Sequence, residues 1–194
     1  MIKLGITGGI GSGKTVVSKI LNSMHIPVYI SDEEAKRLMI VDPIIIAGLK
    51  KMVGEEAYLE DGSLNKGRIA EFLFSSPENA RRINSLIHPR VRVDFEQWVN
   101  YHADYSVVAI ESAILFESKL DHIVDFSVLV YADQETRIER TMRRDSSSLA
   151  SVKKRILAQS KESEKIGLAD FIIYNDKTSL LIPQVLLLLS EINK

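Results

Sequence analysis

No cysteine occurs among the 194 residues. That excludes disulfides, thiolate metal sites and cysteine nucleophiles, and it matches a reducing compartment, so a cytoplasmic location is expected. Charge of one sign is not in excess: 25 Lys and Arg stand against 26 Asp and Glu, a formal net charge of −1. There is no global basic field to draw nucleic acid, and no nucleic-acid partner is expected. Long apolar runs are missing too. The most apolar stretch, Leu180 to Leu189, is interrupted by Pro183 and Gln184. It falls short of the roughly 20 residues that span a bilayer, so a buried terminal helix is expected and no membrane partner. The apolar start, Met1 to Ile6, runs into glycines without a basic n-region or cleavage site, so no secretory signal is expected. Internal repeats and low-complexity segments are absent.

Hydrophobic residues make up 45% of the chain, enough for one compact α/β domain with room for a small insertion. Ile2 to Thr7 is a short apolar run ending in glycines and reads as a buried strand. Val17, Ile20, Leu21 and Met24 follow at helical spacing. Pro27 to Ile30 reads as a second strand. From Asp32 to about Ala103 strand signals are weak and helix starts recur. Asp42-Pro43 and Ser76-Pro77 each set a capping residue before a proline. Asn65 is a candidate cap, Glu60 to Ser63 reads as a turn, and Pro89 is expected to open another helix through Val91, Phe95 and Trp98. The region reads as a helical insertion, about 32–103, within a core formed by 1–31 and 104–194. Strands are expected at Ser106 to Ile110, Ile123 to Tyr131 and Asp170 to Tyr174, with a basic helix capped by Asp133 and another capped by Ser148. Alternating strands and helices imply a parallel sheet covered on both faces.

Gly8-Gly9-Ile10-Gly11-Ser12-Gly13-Lys14-Thr15 fits G-x-x-x-x-G-K-[ST] at every fixed position, between a strand and an amphipathic helix. Glycines let successive N–H groups turn inward into an anion nest, which opens on a helix N-terminus that favours phosphate. Lys14 is placed to reach the β- and γ-phosphates of ATP, and the Thr15 hydroxyl to ligate Mg²⁺. The loop accounts for the phosphate donor and leaves the acceptor open.

Asp32 follows the second strand on the ligand end of the sheet. It reads either as a base toward an acceptor hydroxyl or as a helix cap, with Ser31 as rival. The helix from Asp133 to Arg144 carries Arg137, Arg140, Arg143 and Arg144, with Arg140 and Arg144 sharing a face. Beside a P-loop, the preferred reading is a lid over ATP, at about 133–155, and the alternative is a solvated basic face paired with Glu135, Glu139 and Asp145. Glu111 ends the third strand, where a carboxylate serves Mg²⁺ in many P-loop proteins. Glu117 either faces the same crevice or lies on the surface beside Lys119. His25, His88, His102 and His122 lack metal-ligand spacing. His88, before Pro89, reads as a capping or structural residue on its own chemistry.

Taken together, these segments resemble the dephospho-coenzyme A kinase family over nearly the whole chain, from Ile2 to about Val185. The resemblance is carried by Gly5 to Thr15, by Ile87-His88-Pro89 and by Leu115-Phe116-Glu117. Further matches are Arg140-Thr141-Met142 with Arg144-Asp145, and Arg155-Ile156 with Gln159, Ala169-Asp170 and Asn175. It implies a P-loop NTPase fold like that of the nucleoside monophosphate kinases. Its parts are a five-stranded parallel sheet flanked by helices, a helical coenzyme A-binding insertion and a lid. The implied activity is transfer of the ATP γ-phosphoryl group, with Mg²⁺, to the ribose 3′-hydroxyl of dephospho-coenzyme A. The alternatives are another small-molecule kinase or an NTP-dependent switch.

The resemblance further implies that Gly9, Ile10, Gly11, Ser12, Gly13, Lys14, Thr15 and Val16 bind ATP together with Arg140 and Asn175. Asp32 matches the second aspartate of an Asp-Ala-Asp motif and is the implied base, with Lys14 and Arg140 as its catalytic partners. Arg68, His88 and Glu117 are implied on the acceptor side. A monomer or small homo-oligomer is expected. Three positions depart from the family pattern: Ile30 replaces the first aspartate, Ala113 replaces a proline, and Gly67 precedes Arg68 where an aspartate is usual.

Overall fold

The computed structural model describes residues 1–157, 162–176 and 178–193. Two compact units emerge: Met1–Ile30 with Tyr101–Lys194, and Ser31–Asn100.

The first unit is built on five parallel strands: β1 (Ile2–Thr7), β2 (Val28–Ile30), β3 (Val107–Glu111), β4 (Phe126–Tyr131) and β5 (Phe171–Tyr174). Their spatial order is β2-β3-β1-β4-β5. Leu4 is paired with Ala109 on one side and with Phe126 on the other, so β1 lies at the centre. The chain winds from β1 toward β2 and β3, then crosses to β4 and β5. The loop after β1 therefore opens at the point where the winding reverses, which is where α/β sheets hold ligands.

One sheet face sends Leu4, Ile6, Val107, Ala109, Val128, Val130 and Ile173 into a single core. Val17 and Leu21 of α1 (Lys14–Ser23) and residues of the terminal helix Leu181–Ile192 complete it. On the opposite face Gly5 is small for a reason: a Cβ there would come within 2.9 Å of a Leu115 methyl. The first strand starts where expected, at Ile2, and the other four start one to three residues later than expected. Leu120–Ile123 forms a 3-10 turn, so the fourth strand begins only at Phe126.

The second unit contains α2 (Ser31–Val41), α3 (Pro43–Val53), α4 (Lys66–Ser75) and nearly all of α5 (Pro77–Tyr101). The capping signals act as expected. Asp42 Oδ1 accepts from the N–H groups of Ile44 and Ile45 at 2.9 and 3.0 Å, and Asn65 Oδ1 accepts from Arg68 N–H at 3.2 Å. Gly62 turns at φ +80° between Tyr58 and Leu64, which form an antiparallel bridge. Pro89 does not open a helix: α5 runs through it for 25 residues. An interior proline costs about 3 kcal/mol of helix stability. Ile83, Ile87, Val91 and Phe95, all buried and four residues apart, carry one apolar stripe across that position and outweigh the missing hydrogen bond.

Beyond β4 the first unit continues with α6 (Gln134–Asp145), α7 (Leu149–Leu157) and α8 (Glu162–Ile166), then β5 and α9 (Leu181–Ile192). Asp133 caps α6 by accepting from Thr136 N–H at 2.8 Å, and Ser148 caps α7 by accepting from Ser151 N–H at 3.3 Å. Gln159 lies outside the described residues. Among the described residues no helix is long and apolar enough to cross a membrane.

Candidate active site

The loop between β1 and α1 has the backbone that its glycines allow. Gly11 and Gly13 sit at φ +78° and +98°, in the left-handed region where a side chain is strained. Gly13 is the N-cap of α1. The N–H groups of Val16 and Val17 are directed at its carbonyl, at 2.9 and 3.3 Å. Lys14 folds back over the loop, donating to the carbonyls of Gly8 and Gly9 at 2.9 and 3.4 Å. Ser12 is buried, and Val16 is exposed on the first turn of α1.

Glu111, at the end of β3, lies beside α1. Its Oε1 accepts from the Thr15 hydroxyl at 3.4 Å, and its Oε2 accepts from the Ser18 hydroxyl at 2.7 Å. The glutamate is buried. One carboxylate and one hydroxyl thus stand together at the mouth of the loop. Both are hard oxygen donors, the chemistry that suits Mg²⁺ held partly by phosphate oxygens. Among the described residues no group of three or more acidic, histidine or cysteine side chains makes a complete metal cage.

Asn175 follows β5 and packs on the loop. Its N–H donates to Tyr131 O at 2.7 Å, and its side-chain amide donates to Ser12 O at 2.7 Å. The same amide fills the space where a Cβ on Gly13 would stand.

The arginine that touches the loop is Arg137. Its Nε donates to Ile10 O at 3.0 Å, its Nη1 pairs with Glu162, and the side chain is 6% exposed. Glu162 also accepts from Gly9 N–H at 3.2 Å. The Thr141 hydroxyl, one turn along α6, donates to Arg137 O at 2.7 Å. In the sequence Arg137 is one of four arginines of a basic helix, and Arg140 is the one expected at the nucleotide. Gly9 and Gly11 occupy variable positions of the motif yet both are glycine, which hints at a close neighbour without selecting one arginine. A Cβ on Gly9 would collide with the Arg137 guanidinium, and one on Gly11 with Arg137 O and Thr141 Oγ1.

Arg140, one turn further along α6, keeps a buried Nη1 that has no hydrogen-bond partner among the described residues. Arg144 faces outward and pairs with Asp145 at 2.7 Å. Asp145 also binds Arg155 of α7 at 2.6 Å, and the two guanidinium groups hold its carboxyl well below the usual carboxylate range. Glu117 pairs with Lys165 at 3.0 Å.

The second unit opens with α2, which follows β2 without an intervening residue, so neither Ser31 nor Asp32 stands outside the helix as a cap. Asp32 is an exposed residue of the first turn, followed by Glu33 and Glu34. Arg68 is on the surface of α4, with Glu71 at 2.8 Å and Glu56 at 3.3 Å. His88 lies inside α5 and not at a helix junction. It is half-buried, and burial pushes its imidazole below the ordinary histidine value.

Comparison with known proteins bears on this geometry. The family model described as "Dephospho-CoA kinase" matches residues 2–180. A Bacteroides fragilis protein named "Dephospho-CoA kinase" is 47% identical over 189 residues, covering 97% of this chain and 92% of the relative. A Thermus thermophilus crystal structure superposes with TM-score 0.82 at 29% identity, covering 99% of this chain and 96% of the other. A structure named as dephospho-CoA kinase from Campylobacter jejuni superposes with TM-score 0.71 at 22% identity, covering 98% of this chain and 96% of the other, and shares the fold.

Proposed function

The chain belongs to the dephospho-coenzyme A kinase family and catalyses the final step of coenzyme A biosynthesis, and from that premise we propose how its own residues divide the work. The observation that carries the proposal is the loop itself. Gly13 caps α1 in the left-handed region, Lys14 folds over the loop, and the Thr15 hydroxyl meets the Glu111 carboxylate. Such a loop presents backbone N–H groups and a helix N-terminus to the triphosphate of ATP.

Gly9 to Val16 and Asn175 hold the nucleotide in this proposal. The Thr15 hydroxyl would hold Mg²⁺, and Glu111 would aim that hydroxyl. A cation there would supply positive charge toward the phosphates of ATP. The Asp32 carboxylate accepts the proton of the ribose 3′-hydroxyl. That oxygen attacks the γ-phosphorus in line, and the bond to the ADP oxygen breaks. Lys14 and Arg140 stabilise the charge that spreads over the phosphoryl oxygens. Arg68, His88 and Glu117 serve the acceptor, the helices of 32–103 form the acceptor-binding part, and 133–155 acts as lid. A cytoplasmic location fits the absence of cysteine.

ADP formation measured with a panel of acceptors tests the proposal. Turnover is expected only with dephospho-coenzyme A and Mg²⁺. Asp32→Asn is expected to lose about a thousandfold in kcat while nucleotide affinity stays within about twofold. Near-normal turnover in Asp32→Asn removes Asp32 as the base. ATP hydrolysis that ignores the acceptor sinks the kinase assignment in favour of a switch.

A further inference from the structure

Helix α8 is five residues long, yet it carries one buried charge, Lys165, and one part-buried charge, Glu162. Glu162 pairs with Arg137 and accepts from Gly9 N–H at 3.2 Å. Lys165, three residues on, is 1% exposed, donates to Ala113 O at 2.9 Å and pairs with Glu117 at 3.0 Å. Removing a charge from water costs several kcal/mol unless it is paired. A short surface helix gains nothing from such burial unless its partners must be held in place.

Those partners are not arbitrary. Gly9 lies in the loop after β1, and Ala113 and Glu117 lie in the segment after β3. These strands are adjacent and parallel, with Leu4 opposite Ala109, so both segments leave the sheet at its ligand end. Residues three apart share one helix face. A single face of α8 therefore reaches the nucleotide loop and the segment beside it.

We propose that α8 is a positioning element of the kinase: Glu162 sets the nucleotide loop through Gly9 and Arg137, and Lys165 sets the Ala113–Glu117 segment. Neither residue takes part in phosphoryl transfer. Glu162 keeps the Arg137 guanidinium against Ile10 O and so fixes α6 on the loop. Lys165 holds the backbone at Ala113, where the family's proline is replaced, and fixes the Glu117 carboxylate. The second half rests on the reading of Glu117 as an acceptor-side residue; the first does not.

The test uses the full-length protein with two readouts. Equilibrium binding of a fluorescent ATP analogue needs no acceptor and reads Glu162 alone. Glu162→Gln is expected to weaken it by about tenfold or more, since one charged hydrogen bond is lost beside the loop. Glu162→Asp keeps the charge pair but draws the carboxylate back from Gly9 N–H, and about threefold weakening is expected with an unchanged melting temperature. Steady-state kinetics then read Lys165: Lys165→Met is expected to raise KM for dephospho-coenzyme A about tenfold and leave KM for ATP within about twofold.

A merely structural α8 gives a different pattern. Melting temperature falls in Glu162→Gln, while Glu162→Asp binds the analogue as the wild type does. That result overturns the Glu162 half. Equal shifts of both KM values in Lys165→Met, or none, overturn the Lys165 half. If Glu162→Gln does not fold, Glu162→Asp alone decides, and wild-type affinity in it counts against the proposal. Failure of the kinase assignment shows separately, as wild-type protein that binds the analogue but has no acceptor-dependent turnover.

Discussion

The guanidinium of Arg137 fills the space into which a side chain on Gly9 would project. The motif does not require glycine at that position; the docked α6 does. Gly11 is different. Its φ is +78°, and the atoms in its way are the backbone oxygen of Arg137 and the Thr141 hydroxyl. Gly9→Ala is expected to weaken nucleotide binding by about tenfold, and Gly11→Ala by more, because a left-handed residue adds about 1–2 kcal/mol of strain. Shortening Arg137 to alanine in the Gly9→Ala background removes the collision, so Gly9→Ala should add little there. Gly11→Ala should remain damaging. Equilibrium nucleotide binding on the two glycine variants, on Arg137→Ala and on the two double variants checks this, and equal relief of both glycine changes would contradict it.

The contrast shows what the sequence made legible. The loop, its strand and its helix were readable because glycine, lysine and threonine at fixed spacing carry the chemistry locally. Helix starts at Asp42, Asn65, Asp133 and Ser148 were readable for the same reason: a cap acts within three residues. Pro89 misled because a local breaker was weighed against a stripe, Ile83 to Phe95, whose burial is tertiary. Arg137 was indistinguishable in sequence from Arg140, Arg143 and Arg144, since only the docking of α6 decides which of them meets the loop. Glu162 and Lys165 gave no signal, because a charged residue in a short polar segment looks solvated until its partners arrive from 153 and 52 residues away.

Glu111 offers one oxygen to Thr15 and the other to Ser18. If the Thr15 hydroxyl ligates Mg²⁺, the carboxylate both aims it and adds negative charge near the cation. Glu111→Gln keeps the shape and removes the charge. The expected outcome is a Mg²⁺ requirement about tenfold higher at fixed ATP, with metal-free nucleotide binding nearly unchanged. Mn²⁺ titration in the presence of ATP, read by electron paramagnetic resonance, checks the metal affinity directly. An unaltered Mn²⁺ affinity would leave Glu111 as a support for α1 only.

Asp42 gives a pH-dependent prediction within the helical unit. Desolvation alone would raise its proton affinity. The N–H groups of Ile45 and Ile44 and the Arg90 guanidinium, at 2.8 Å, outweigh that, and the carboxyl lies below its ordinary value. A folded-state pKa below the unfolded one means that the stabilisation is complete above the unfolded value, about 3.9, and fades as pH falls through the folded one. Asp42→Asn keeps a good cap but should cost about 2–3 kcal/mol at pH 7, because it leaves Arg90 without its counter-charge. The gap to wild type should narrow below about pH 4. Urea unfolding of both proteins from pH 7 to pH 3 measures it, and a constant gap would refute the linkage.

Arg137 and Arg140 lie three apart on α6 but should fail differently. Arg137 is committed in the resting fold: Ile10 O and Glu162 take its donors, and its side chain is 6% exposed. Its loss leaves the part-buried Glu162 beside Gly9 without a counter-charge, which is costly before any nucleotide arrives. Arg137→Ala should therefore lower the melting temperature by several degrees and weaken nucleotide binding about tenfold. Arg140 keeps a buried Nη1 with no partner among the described residues, so a donor is left for charge that develops later. Arg140→Ala should leave melting temperature and nucleotide affinity within about twofold of wild type and lower kcat by about a hundredfold, the pattern of a contact made in the transition state. Calorimetry, nucleotide binding and kcat on the two variants separate the roles. The division collapses if Arg140→Ala loses nucleotide affinity as Arg137→Ala does, because a resting contact and a transition-state contact cannot share that signature.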